Sequence, residues 1–246
     1  RFEGYKALIL SRQHLFAQWK LNERLSINKK TKEYIDISLF QKKLNTYYDE
    51  FMKYKYENEK YSLDEVKTSR LVIKNNNGLI FCSNIFYEMY PDAVFIGLVR
   101  HPVALYESHR RRKTPVSTTI EAFVEYYKKM IQKMLDDQDK FENYHIINFE
   151  KLLADPIESI KKLYLWADLD YSQLKKVRLK AKEYMHDDGE SKTSYETGYH
   201  YWLFKEELNF FLDPNVNRNQ RNLILEEDVE KICYYLKDSM KKLNYH

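Results

Sequence analysis

Apolar residues follow two rhythms along this chain: short unbroken runs, and longer stretches in which they return every three or four positions. The first rhythm fits a buried strand, and the second fits one face of a helix. Residues 5–11, with Ala7, Leu8, Ile9 and Leu10, predict a strand, and residues 12–25 predict a helix after it. Beyond a polar stretch at 26–33, Ile37, Phe40, Leu44, Tyr47, Tyr48, Phe51 and Met52 predict a long amphipathic helix, followed by a charged loop through Asp64. Residues 70–74 predict a second strand that ends in the turn 75–78, and residues 79–90 a helix closed by Pro91. The most apolar strand, residues 93–99, carries Arg100 at its carboxyl end. Pro102 suits the first turn of the next helix, where a missing N–H costs nothing.

Thr118 or Thr119 can cap a helix in which Ile120, Phe123, Val124, Tyr127, Met130, Ile131 and Met134 share one face. Residues 144–149 predict a fourth strand, and the stretch 150–156 leads into a helix through Trp166. Strands alternating with helices argue for an α/β fold: a central parallel sheet of four or five strands flanked by helices, in one domain spanning 1–246. Residues 184–201 are polar and turn-rich, which predicts a mobile loop. A second polar loop opens at Asp213 and ends at Arg221, and Val229, Ile232, Cys233, Leu236, Met240 and Leu243 line one face of a last helix.

At 246 residues and 43% hydrophobic content, the chain can bury one sizeable core. No window approaches 18 consecutive apolar residues, and residues 1–4 have neither a signal-peptide plan nor an initiator Met. The expectation is a soluble, cytoplasmic chain with no membrane partner whose beginning is incomplete. Cys82 and Cys233 sit in apolar periodic stretches, which predicts two reduced, buried thiols. His186, Asp187, Asp188 and His200 have no metal-ligand spacing, so no metal is expected.

The charge, 41 basic against 37 acidic residues, is too balanced for a general polyanion binder, and no nucleic-acid partner is expected. Arg110, Arg111, Arg112 and Lys113 read as a solvated run near a helix end. An anion would therefore have to be held by particular residues. In open parallel sheets, ligands bind beyond the carboxyl ends of strands, where the next helix presents free N–H groups. Arg100 is placed there, its guanidinium expected to face solvent when no anion is bound. Ser108 follows eight residues on, a little over two helical turns. A bidentate fork and a hydroxyl suit phosphate oxygens.

The text Phe95-Ile96-Gly97-Leu98-Val99-Arg100-His101-Pro102, followed by Ser108, resembles the 3'-phosphate motif of the sulfotransferase family, in which an apolar strand ends in Arg-Asp-Pro and a Ser follows eight residues after the Arg. His101 stands where that family usually has Asp. Lys74 is similar to the Lys that touches the transferring sulfuryl group in many members. The stretch 146–156 resembles the family's aromatic-Glu-Asp-Leu turn ending in Asp-Pro, and residues 217–222 with Leu243-Asn244-Tyr245 resemble its late basic loop and terminal Gly-Tyr.

The resemblance implies a transferase that moves a sulfuryl group from 3'-phosphoadenosine-5'-phosphosulfate (PAPS) to a small-molecule or glycan acceptor and releases adenosine 3',5'-bisphosphate (PAP), in the P-loop nucleoside-kinase-like variation of the α/β fold. It implies Arg100, Ser108 and Arg218 or Arg221 on the 3'-phosphate, and Lys74 as the catalytic cation. Two departures accompany it. Nothing matches the family's first, Gly-containing phosphosulfate loop, and Asn76 stands where members with a Lys-x-His pattern place a base. His14 reads as a surface or capping residue, so the base is unassigned. The rival readings are a non-catalytic nucleotide-binding scaffold of the same fold and a P-loop kinase-like phosphotransferase. The second lacks its Gly-rich loop and acidic Mg²⁺ ligand. Neither the acceptor nor the oligomeric state follows from the sequence.

Overall fold

The computed structural model describes residues 77–180 and 200–245 continuously, the short pieces 8–9, 71–72, 184–185 and 191–192, and positions 38, 41, 42, 45, 46, 49 and 62. The chain forms two compact units, residues 1–93 and 94–246.

In the first unit, β1 (Leu8–Ile9) pairs in parallel with β2 (Leu71–Val72), Leu8 opposite Leu71 and Ile9 opposite Val72. Parallel pairing requires a crossover, and the long stretch between the two strands supplies it. The described positions of the expected second helix, among them Gln41 and Asn45, are helical. The expected helix at 79–90 divides into a 3-10 segment, Asn77–Cys82, and α1 (Ser83–Met89). α1 buries Ser83, Phe86 and Met89, and its end is held by Gln41, whose amide donates to the Met89 carbonyl, and by the Tyr90 hydroxyl donating to Asn45 Oδ1 at 2.7 Å.

In the second unit, β3 (Phe95–Val99) and β4 (Tyr144–Asn148) pair in parallel over five residues, from Phe95 opposite Tyr144 to Val99 opposite Asn148. The crossover contains α2 (Pro102–Arg111) and α3 (Ile120–Lys140). Thr119 caps α3, its hydroxyl accepting from Ala122 N at 3.1 Å. The α3 face that buries Ile120, Phe123, Val124, Tyr127, Ile131 and Met134 is the one its spacing predicts. Residue 97 is glycine where α3 covers the sheet: a Cβ there would meet Cε at the end of the Met134 side chain and crowd the Tyr144 hydroxyl at 3.3 Å.

After β4 come α4 (Phe149–Ala154) and α5 (Pro156–Trp166), the latter capped by Asp155, which accepts from Glu158 N at 3.0 Å. β5 (Lys176–Lys180) then pairs antiparallel with β8 (His200–Phe204). Between them, β6 (Tyr184–Met185) and β7 (Ser191–Lys192) pair as a short antiparallel ladder within the stretch expected to be a loop. The chain closes with α6 (Leu208–Phe211), α7 (Val216–Arg221) and α8 (Glu226–Lys242). α8 packs on α3 and α2 through Val229, Ile232, Leu236 and Met240, and its acidic first turn and basic last turn suit the helix dipole.

Helices and parallel strand pairs bear out the α/β class. The expected central sheet appears as two separate parallel pairs among the described residues, with antiparallel pairing added after α5. Neither cysteine is in a disulfide: Cys82 is buried and Cys233, in α8, half-buried, where burial pushes its thiol pKa up. No helix among the described residues is long and apolar enough to cross a membrane.

Candidate functional site

β3 and β4 run side by side and end together, so the residues just past them, Arg100 and His101 on one chain segment and Phe149 and Glu150 on the other, are brought to one edge. α2 begins there, with Pro102 in its first turn. The Arg100 backbone is fixed from below, because the fully buried Tyr127 of α3 donates its hydroxyl to the Arg100 carbonyl at 3.0 Å. Burial pushes the Tyr127 phenol up, which keeps it a donor.

The Arg100 side chain does not face solvent as expected from the sequence. Nε donates to Asn217 Oδ1 at 2.7 Å, Nη2 donates to Gln220 Oε1 at 2.6 Å, and the guanidinium carbon lies 4.7 Å from the centre of the Phe149 ring. The residue is half-buried. The reason is that α7 packs against α2 and presents two carboxamide oxygens to the guanidinium. Burial lowers the Arg100 pKa, Glu150 opposes this, and the Arg112 and Arg111 charges at the far end of α2 add to the lowering.

Glu150 organises the rest. Its Oε1 accepts from His101 N at 2.8 Å and from Asn217 Nδ2, and its Oε2 accepts from the Tyr245 hydroxyl at 2.7 Å. Tyr245 also meets His101 edge to face at 5.3 Å, and Asn148 Nδ2 donates to the Leu243 carbonyl at 3.0 Å. One carboxylate therefore ties the start of α2, the face of α7 and the chain's last turn to the end of β4. Burial, and next the Glu150 carboxylate, hold the Tyr245 phenol far above its ordinary value. Burial depresses His101; Glu150 opposes it, and the Arg221 charge adds to the lowering.

Among the residues singled out by sequence, Arg100 and the 217–221 segment meet directly. Ser108 is half-buried on α2, and its hydroxyl has no hydrogen-bond partner among the described residues. Arg221 stands on the α7 face of Asn217 and Gln220 by helical spacing, while its guanidinium pairs with Glu226 at 2.7 Å. Arg218 is exposed and lies about 100° around the helix from Asn217. Lys74, Asn76 and His14 lie outside the described residues, as does most of the 184–201 loop.

The basic run divides. Arg110 and Arg111 pair at 2.7 and 3.2 Å with Glu107, whose side chain is fully buried, and Arg112 is exposed. Among the described residues no group of three or more His, Cys, Asp or Glu is placed to hold a metal ion.

The roles missed by sequence reasoning are those of Glu150, Asn217 and Gln220. Their only signal was position: a Glu just after a strand, and amides inside a basic loop.

The family model described as the sulfotransferase family matches residues 5–173. No curated protein and no solved structure matches the chain.

Proposed function

This chain belongs to the sulfotransferase family, and from that premise we propose that it transfers a sulfuryl group from PAPS to a hydroxyl or amine of a small-molecule or glycan acceptor, releasing PAP. The observation that carries the proposal is the Arg100 guanidinium at the carboxyl end of β3. It is held on one edge by Asn217 and Gln220, while its other donors and the Ser108 hydroxyl have no partner among the described residues. Those donors fit a nucleotide 3'-phosphate, with Arg221 or Arg218 as a second cation.

Bound PAPS supplies an activated sulfur whose bond to the 5'-phosphate oxygen breaks as the acceptor oxygen or nitrogen bonds to sulfur. The protein's part is binding and orientation: Arg100 and Ser108 hold the 3'-phosphate, and Lys74 meets the sulfuryl oxygens and offsets their charge. The acceptor's proton leaves to solvent or to a base outside the residues named. The family reading implies a central parallel sheet of four or five strands.

The test is thermal unfolding of the protein with PAP and with adenosine 5'-monophosphate, followed by PAPS turnover with phenolic, amine and glycan acceptors. A larger upward shift with PAP is expected, because binding only the folded state stabilises it by mass action. Equal shifts would contradict a 3'-phosphate site. PAP binding with no transfer to any acceptor class would favour the scaffold reading.

A further inference from the structure

A guanidinium carries five N–H donors in one plane. In Arg100, Asn217 takes the Nε hydrogen and Gln220 one Nη2 hydrogen, at 2.7 and 2.6 Å, so both bonds lie on the side-on edge. Phe149 covers one flat face. Three hydrogens are left: one on Nη1 and the second on Nη2 form the end-on edge, and the other on Nη1 points to the Cδ side.

The grip has a fixed polarity. Asn217 has one oxygen and one NH₂, and its Nδ2 donates to Glu150 Oε1. Only Oδ1 is then left to face the guanidinium. Glu150 is itself fixed, because the same oxygen accepts from His101 N and the other from Tyr245. The chain of contacts thus runs from the start of α2 through Glu150 and Asn217 to Arg100, and every link has one permitted direction.

We propose that Asn217, Gln220 and Glu150 are positioning residues of the nucleotide site, gripping one edge of the Arg100 guanidinium so that the opposite edge is aimed at the phosphate before it arrives. The proposal rests on the reading that Arg100 binds the 3'-phosphate. A long, flexible side chain loses rotamer freedom when it meets a ligand, and fixing it beforehand removes that cost from binding. The same contacts hold α7 beside Arg100.

Calorimetric affinities for PAP and adenosine 5'-monophosphate test this in the wild-type protein, in Asn217→Ala/Gln220→Ala, and in Glu150→Gln. Both α7 positions are half-exposed, so the double variant is expected to fold. PAP should weaken about two- to tenfold in the double variant, the scale of ordering one rotamer-rich side chain on binding, with the monophosphate unchanged. Glu150→Gln should shift the ratio of the two affinities the same way but by less, since its neutral oxygen holds Asn217 Nδ2 and His101 N more weakly than a carboxylate does. A merely structural role would weaken both nucleotides alike and leave their ratio unmoved, and that result overturns the proposal. A wild-type protein with no preference for PAP would sink the reading of Arg100 and the proposal with it. A wild-type preference kept intact in both variants would overturn the positioning role alone.

Discussion

Replacing Arg100 with Ala removes three kinds of contact at once: two hydrogen bonds to carboxamide oxygens at 2.7 and 2.6 Å, a cation above the Phe149 ring at 4.7 Å, and the charge opposite Glu150. In stability each hydrogen bond contributes about 1 kcal/mol net, and the ring contact about 0.5 to 1 kcal/mol. Two effects offset part of that. Asn217 and Gln220 are half-exposed and can turn to water, and the repulsion from Arg111 and Arg112 disappears. The net cost should be about 1 to 2 kcal/mol, a fall in Tm of roughly 2 to 8 °C for a chain of this size. In binding, the variant loses the end-on donors to a phosphate, a cost of about 1.5 to 3 kcal/mol, which is roughly tenfold to a hundredfold in PAP affinity. Arg100→Lys should recover only part of it, because a point charge does not reproduce the fork. Calorimetric titration with PAP reads the binding, and urea unfolding reads the stability. A folded Arg100→Ala protein that binds PAP as tightly as the wild type would refute the reasoning.

Other expectations concern the scaffold. Gly97→Val should destabilise the second unit by about 1 to 3 kcal/mol in urea, since the new methyls meet Met134 and Tyr144; an unchanged midpoint would mean that the Met134 side chain turns aside at no cost. Thr119→Ala should cost about 0.5 to 2 kcal/mol through loss of the α3 cap, and Thr119→Ser should restore most of it. Burial depresses His101, His109 and His145 below their ordinary 6.5, so the unfolded chain binds protons first as pH falls. Stability should be full above about pH 6.5 and decline below it, with a shallower decline in His101→Asn; a flat profile between pH 7 and 5 would contradict the burial of these rings.

The parts legible in the sequence were those written in local apolar rhythm. Phe95 to Val99 is the most apolar run and forms β3, and the faces of α3 and α8 follow their three-to-four spacing. The place of Arg100 followed from that strand's end. The direction of its side chain did not, because its partners Asn217 and Gln220 lie 117 and 120 residues away and leave no mark on nearby periodicity. Glu150 was hidden for the same reason: its position reads as an ordinary acid in a helix's first turn, and its contacts to His101, Asn217 and Tyr245 span 49, 67 and 95 residues. The pairing of β5 with β8 was also missed. His200 to Phe204 is mostly aromatic and reads as core, while Lys176 to Lys180 alternates apolar and charged residues, a period-two signal that marks a strand without naming its partner.

The most direct test of a 3'-phosphate site at Arg100 is a phosphorus NMR titration of PAP, whose 3' and 5' phosphates give separate resonances. With the wild-type protein both resonances should move on binding, and in Arg100→Ala the 3' response should be lost or strongly weakened while the 5' response persists. A 3' resonance that stays unmoved in the wild type, or that moves identically in Arg100→Ala, would contradict the assignment.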